Sequence, residues 1–164
     1  MDAKLRKLML AMIEYNCGDA RRIQHLLKVH TLAKLIGEEE KLDNKTLYIL
    51  EAAALTHDIG IRNSEKKYGS CNGKQQELEG PPEAEKLLRS LDFDGDIIER
   101  ACWLIAHHHT YNNIEGADYQ ILVEADFLVN LYEDGVSREA VQTAYGRIFK
   151  TEIGRAICRK MYAL

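Results

Sequence analysis

Apolar residues recur every three or four positions along almost the whole chain, and its only two prolines stand side by side at Pro81 and Pro82. That spacing places one apolar stripe along each of a series of helices and leaves little support for strands. The expectation is therefore an all-α fold, a compact helical bundle of seven or eight helices. At 164 residues with 46% hydrophobic content, the chain can fill one core, so residues 1–164 are expected to form one domain.

The stripes place the helices. A first is expected over Ala3 to Tyr15, and a second capped by Asp19 carries His25, Val29, Ala33 and Ile36 before stopping at Gly37. Asp43 caps a third, which aligns Leu50, Ala53, Ala54 and His57 and ends at Asp58-Ile59-Gly60. The stretch from Ile61 to Gly80 is polar and aperiodic and reads as a functional loop, with Pro81 opening the next helix. A fifth helix holds Ile97, Ala101 and Leu104 and reaches His107-His108-His109, and a sixth runs from Tyr119 to Tyr132. A helix capped by Ser137 and another spanning about Thr151 to Met161 close the core over about residues 137–162.

Composition narrows the partners. A formal net charge of −4 offers no electrostatic reason to bind nucleic acid or membrane, so small molecules are favoured. No long apolar run and no secretory pattern at Met1-Asp2-Ala3-Lys4 leads to the expectation of a soluble, cytoplasmic protein. Cys17, Cys71, Cys102 and Cys158 stand singly and read as reduced thiols.

Several inward residues do not belong in an apolar core. Asp126 has apolar neighbours one turn away on either side, and an ionised carboxylate there needs a partner. His25 and His57 sit on the inward stripes of two other helices, and Asp58 follows His57 where a helix ends. Two imidazoles and two carboxylates form a mixed nitrogen and oxygen set that suits divalent Mn, Fe, Co, Ni, Zn or Mg. A lone inward histidine is usually just a hydrogen-bonded core residue, and His30, one turn beyond His25, is read that way.

The order His25, His57-Asp58, Asp126 resembles the HD-domain superfamily of metal-dependent phosphohydrolases. The likeness rests on His25-x-x-x-Val29-x-x-x-Ala33, on Ala53-Ala54-Leu55-Thr56-His57-Asp58-Ile59-Gly60 and on Glu124-Ala125-Asp126, and covers about Arg22 to Leu131. It implies that His25, His57, Asp58 and Asp126 are the metal ligands. It further implies hydrolysis of a phosphomonoester or phosphodiester of a small molecule, often a nucleotide. A bound cation lowers the pKa of water from about 15.7 towards 7, and Asp58 is the candidate to orient or deprotonate that water. Arg62 and then Arg22 are the candidate catalytic cations, with Lys66 and Lys67 as substrate-binding candidates. A surface charge in solvent is the plain alternative for Lys66 and Lys67.

One metal site is expected firmly and a second is left open. His108 and His109 lie on stripes that face the site, while His107 points away. Where two-metal members place another histidine this chain has only Gln76, Glu77 and Glu79, so Glu79 is the candidate oxygen ligand and His108 and His109 otherwise bind phosphate. Two other readings stay open here, a metal-containing helical binding module without turnover and an oxygen-activating di-iron member of the same superfamily.

Overall fold

The computed structural model describes residues 2–164, and among them nine helices and no strands are found. They are α1 (Ala3–Tyr15), α2 (Ala20–Glu39), α3 (Asn44–Thr56), α4 (Ile61–Tyr68), α5 (Gly73–Ser90), α6 (Gly95–Ile105), α7 (Ala117–Glu133), α8 (Arg138–Arg147) and α9 (Glu152–Tyr162). Asp2, Asp19, Asp43, Ser137 and Thr151 each accept a hydrogen bond from a backbone amide of the first helical turn that follows.

The middle of the bundle is α3. Ile49 through Thr56 are all buried, so the C-terminal part of α3 is enclosed on every side, with α2, α6, α7 and α1 around the helix. Ala52, Ala53 and Ala54 let those neighbours approach closely. Within α7 the run Ile121 to Asp126 is buried throughout, and α2, α3 and α7 pack against one another. Gly37 does not stop α2. A Cβ there would lie 2.8 Å from Leu47 Cδ1 and 3.1 Å from Leu50 Cδ2, so its smallness serves the α2–α3 contact, and the helix continues to Glu39.

Buried polar groups outside the centre are paired. His30 Nε2 meets Glu51 Oε2 at 2.9 Å while Lys34 donates to Glu51 Oε1 at 3.0 Å. Glu124, fully buried, accepts from the backbone amides of Lys150 at 2.6 Å and Thr151 at 2.9 Å at the start of α9.

The chief correction concerns residues 61–80, which are helical apart from a short link. Most of α4 faces solvent and only Ser64 is buried, so no apolar stripe announces it. Gly69, at φ +68°, ends it in the left-handed conformation that glycine adopts without steric cost. The start of α5 is a capping box, with Asn72 accepting from Gln75 N and Gln75 accepting from Asn72 N, both at 3.0 Å. Pro81 and Pro82 therefore fall inside α5, where they remove the amides that would have reached the Glu77 and Leu78 carbonyls. The triplet His107 to His109 lies in the turn after α6 rather than on the helix itself. Among the described residues no helix is long and apolar enough to cross a membrane.

The turn carrying Asp58 rests directly on α5. A Cβ at Gly60 would lie 2.6 Å from Gly80 N and 2.8 Å from Gln76 O, two backbone atoms with no freedom to yield. Tyr15 of α1 donates its hydroxyl to Ile59 O at 3.2 Å and holds the same turn from the other side. Gly60→Ala is accordingly expected to cost about 1–3 kcal/mol, measured by denaturant unfolding, because α5 must back away from the turn. An unchanged unfolding midpoint would show that the two backbones are not in firm contact.

Candidate metal centre

Four helix-borne segments deliver polar side chains to one buried volume. His25 comes from the second turn of α2, His57 and Asp58 from the end of α3, His108 from the turn after α6 and Asp126 from the middle of α7. Their tips converge. His25 Nε2 lies 3.2 Å from His57 Nε2, 3.2 Å from Asp126 Oδ1 and 3.4 Å from Asp58 Oδ2. His57 Nε2 is 3.5 Å from both Asp58 Oδ1 and Asp126 Oδ1, and His108 Nε2 is 3.7 Å from Asp58 Oδ1.

The remaining ring nitrogens decide what those tips offer. His57 Nδ1 faces the Ala54 carbonyl at 2.9 Å and His108 Nδ1 the Ile105 carbonyl at 2.7 Å, while His25 Nδ1 lies 3.0 Å from Glu133 Oε2. Each of these acceptors requires Nδ1 to carry a proton, which leaves a lone pair on the Nε2 of each ring whenever that ring is neutral. Three lone pairs and two carboxylates therefore face one another. His108 Nε2 has no hydrogen-bond partner although it is buried. Such a set of acceptors is stable only around positive charge, and a divalent cation fits it.

Two groupings have the compactness that one ion needs: His25 with His57 and Asp58, and Asp58 with His108 and His109. Asp58 belongs to both. Asp126 belongs to neither grouping but approaches His25 Nε2 at 3.2 Å and His57 Nε2 at 3.5 Å, and Asn130 Nδ2 donates to its Oδ1 at 2.8 Å. His109 Nε2 lies 3.0 Å from Gln76 Oε1 and its Nδ1 3.3 Å from the Tyr111 hydroxyl.

Electrostatics tell the same story. Burial pulls the pKa of His57 down, yet the charge of Asp58 and the hydrogen bond to Asp126 outweigh it and push the value up to about 9. Burial also works against the charged forms of Asp58 and Asp126, but the neighbouring histidines hold both carboxyls well below their ordinary range. His109 goes the other way. Burial, helped by His108, lowers its pKa to about 4.

The centre opens into a cleft of about 730 Å³. Arg22, Glu65, Cys71, Tyr111 and Phe127 line it together with His25, Asp58, His109 and Asp126. Tyr111 and Phe127 meet edge to face with ring centres 5.1 Å apart.

Other expected site residues lie elsewhere. Arg62 donates to the Tyr15 carbonyl and stacks 5.2 Å from the centre of the Tyr15 ring, so it fastens α4 to α1 and does not line the cleft. Lys67 pairs with Glu79 Oε2 at 2.5 Å, and Tyr68 donates to Glu79 Oε1 at 2.9 Å. Both Glu79 oxygens are thus occupied away from the centre, and the α5 side chain that reaches His109 is Gln76. Lys66 is exposed in the last turn of α4 and lies outside the cleft. Arg22 stays at the cleft, held by Glu65 and by Asp19 at 3.3 Å. Gln76, Asn130 and Tyr111 escaped the sequence reading as site residues. Of these, Asn130 was within reach of it, one turn after Asp126 on the same helix.

A family model described as HD domain matches residues 22–150. The crystal structure of a predicted HD superfamily hydrolase from an uncultured Thermotogales bacterium superposes with a TM-score of 0.70. The two chains are 26% identical, and the match covers 97% of this chain and 85% of that one. No match was found among curated proteins. With most of its length matched by that model and its histidines and aspartates gathered as described, the chain belongs to the HD domain family.

Proposed function

We propose that this protein is a metal-dependent phosphohydrolase that cleaves a phosphomonoester or phosphodiester of a small molecule, a nucleotide foremost. The observation that carries the reading is the meeting of three imidazole lone pairs and two carboxylates at the floor of an open cleft. Membership in the HD domain family and the likeness to a predicted HD superfamily hydrolase support hydrolysis as the reaction class.

His25, His57, Asp58 and Asp126 are the residues we assign to hold a divalent cation, with Asp58, His108 and His109 as the set for a second. A cation bound there supplies Lewis acidity and makes water acidic enough to ionise near neutral pH. Asp58 is the acid placed to accept the proton of the attacking water, because its side chain is 26% exposed towards the cleft whereas that of Asp126 is 5% exposed. Asp126, fixed by Asn130, contributes charge rather than proton transfer. Arg22 lines the cleft beside these groups, with Arg21 next to it, and its guanidinium suits a phosphoryl oxygen pair. Where no second cation is bound, neutral His109 can instead donate or accept a hydrogen bond at the phosphate. Tyr111 and Phe127 form the wall against which a nucleobase or other flat group would lie.

With Mn²⁺, Co²⁺, Ni²⁺ or Mg²⁺ supplied, phosphate release from a nucleotide panel or an aryl phosphate is the expected outcome. His57→Ala and Asp58→Ala should each lower kcat by about 100-fold or more. Tight nucleotide binding with no turnover under any metal would overturn the assignment.

The centre also predicts how stability depends on pH. His57 gains its proton affinity on folding, from the ordinary 6.5 to about 9, so the stability it contributes is complete below pH 6.5 and lost as pH rises through about 9. A cation takes over that proton's task. The melting temperature of chelator-treated protein should therefore fall as pH is raised from 6.5 to 9, and added Mn²⁺ should raise it and flatten the slope. A metal-free protein whose melting temperature stays level across that window would contradict the account.

A further inference from the structure

His25 differs from the other converging histidines in what it gives its second nitrogen to. His57 and His108 each use a backbone carbonyl three residues earlier, an acceptor built into the fold. His25 Nδ1 instead meets the carboxylate of Glu133, whose second oxygen accepts from Lys28 Nζ. The Glu133 side chain is 11% exposed, so the pair is largely shielded from solvent.

The placement of these groups is regular. Asp126, Asn130 and Glu133 follow one another at four and then three residues along α7, which puts them on one face. On α2, Lys28 stands three residues after His25, on the face that packs against α7. One stripe of α7 thus supplies Asp126, the amide that steadies it and the acid that grips His25 from behind. Lys28 holds that acid in place through its other oxygen.

We propose that Glu133, anchored by Lys28, is a positioning residue of the centre. It fixes the tautomer and ring orientation of His25 so that Nε2 presents its lone pair between Asp58 and Asp126. A carboxylate behind the ring also makes that nitrogen a stronger donor than a carbonyl does. This inference rests on the metal-binding reading above. An ion pair that merely tied α2 to α7 would support the fold without affecting how tightly the centre holds a cation.

Titration calorimetry with Mn²⁺ on the whole chain distinguishes these roles, with unfolding of the chelated protein measured alongside. Glu133→Ala is expected to weaken Mn²⁺ binding by about 10–100-fold, and Lys28→Met to weaken it less. Glu133→Gln, which keeps an oxygen acceptor for His25 Nδ1, should recover much of the loss. If Glu133→Ala does not fold, Glu133→Leu takes its place, filling the volume without an acceptor. Wild-type affinity in the folded variant lacking the acceptor overturns the inference, as does a Gln variant no better than it. If the wild-type protein itself binds no divalent cation, the metal reading falls too, which separates the two failures.

Discussion

Five acceptor groups in one buried volume repel one another, and they remain together only because rigid helices leave them nowhere else to go. Burial strengthens that repulsion, since little solvent screens it. The fold meets it with packing. Enclosed α3 fixes His57 at its end, and α2 and α7 close over it with Val29, Leu122 and Val129 in the same core. Positive charge at the centre, whether proton or cation, relieves the strain that this packing imposes.

Helix ends add to the demand. The last carbonyls of a helix lack amide partners and carry partial negative charge. His57 and His108 occupy equivalent places, each donating Nδ1–H to a carbonyl at the end of its helix, α3 and α6. One bond thereby satisfies an orphan acceptor and orients the ring. The same two ends bring further negative potential near the centre.

Much of this was legible in the sequence, for a physical reason. Helices that bury one stripe declare themselves by period, and a histidine or aspartate on such a stripe declares itself by misplacement, as His25, His57 and Asp126 do. The opposite holds for α4. Its exposed residues carry no stripe, so a polar helix and a polar loop read alike, and Pro81 drew attention away from the Asn72–Gln75 cap that starts α5. Charged side chains were the least legible. Arg62 and Glu79 stand near the centre in sequence, but a long side chain follows the nearest unsatisfied partner, here the Tyr15 carbonyl for one and Lys67 with Tyr68 for the other. Glu133 lies on the last residue of α7, one position past the expected helix end, and so fell outside the stripe to which it belongs.

The tight fit of Gly60 against the backbone of Gly80 and Gln76 has a wider bearing, because Asp58 is common to both groupings of potential ligands. Any displacement of this single turn shifts the geometry of both halves at once. Neither half can drift or be redesigned independently, so any change of preference for one ion over another would have to arise from the members outside this turn, His25 on one side or His108 and His109 on the other.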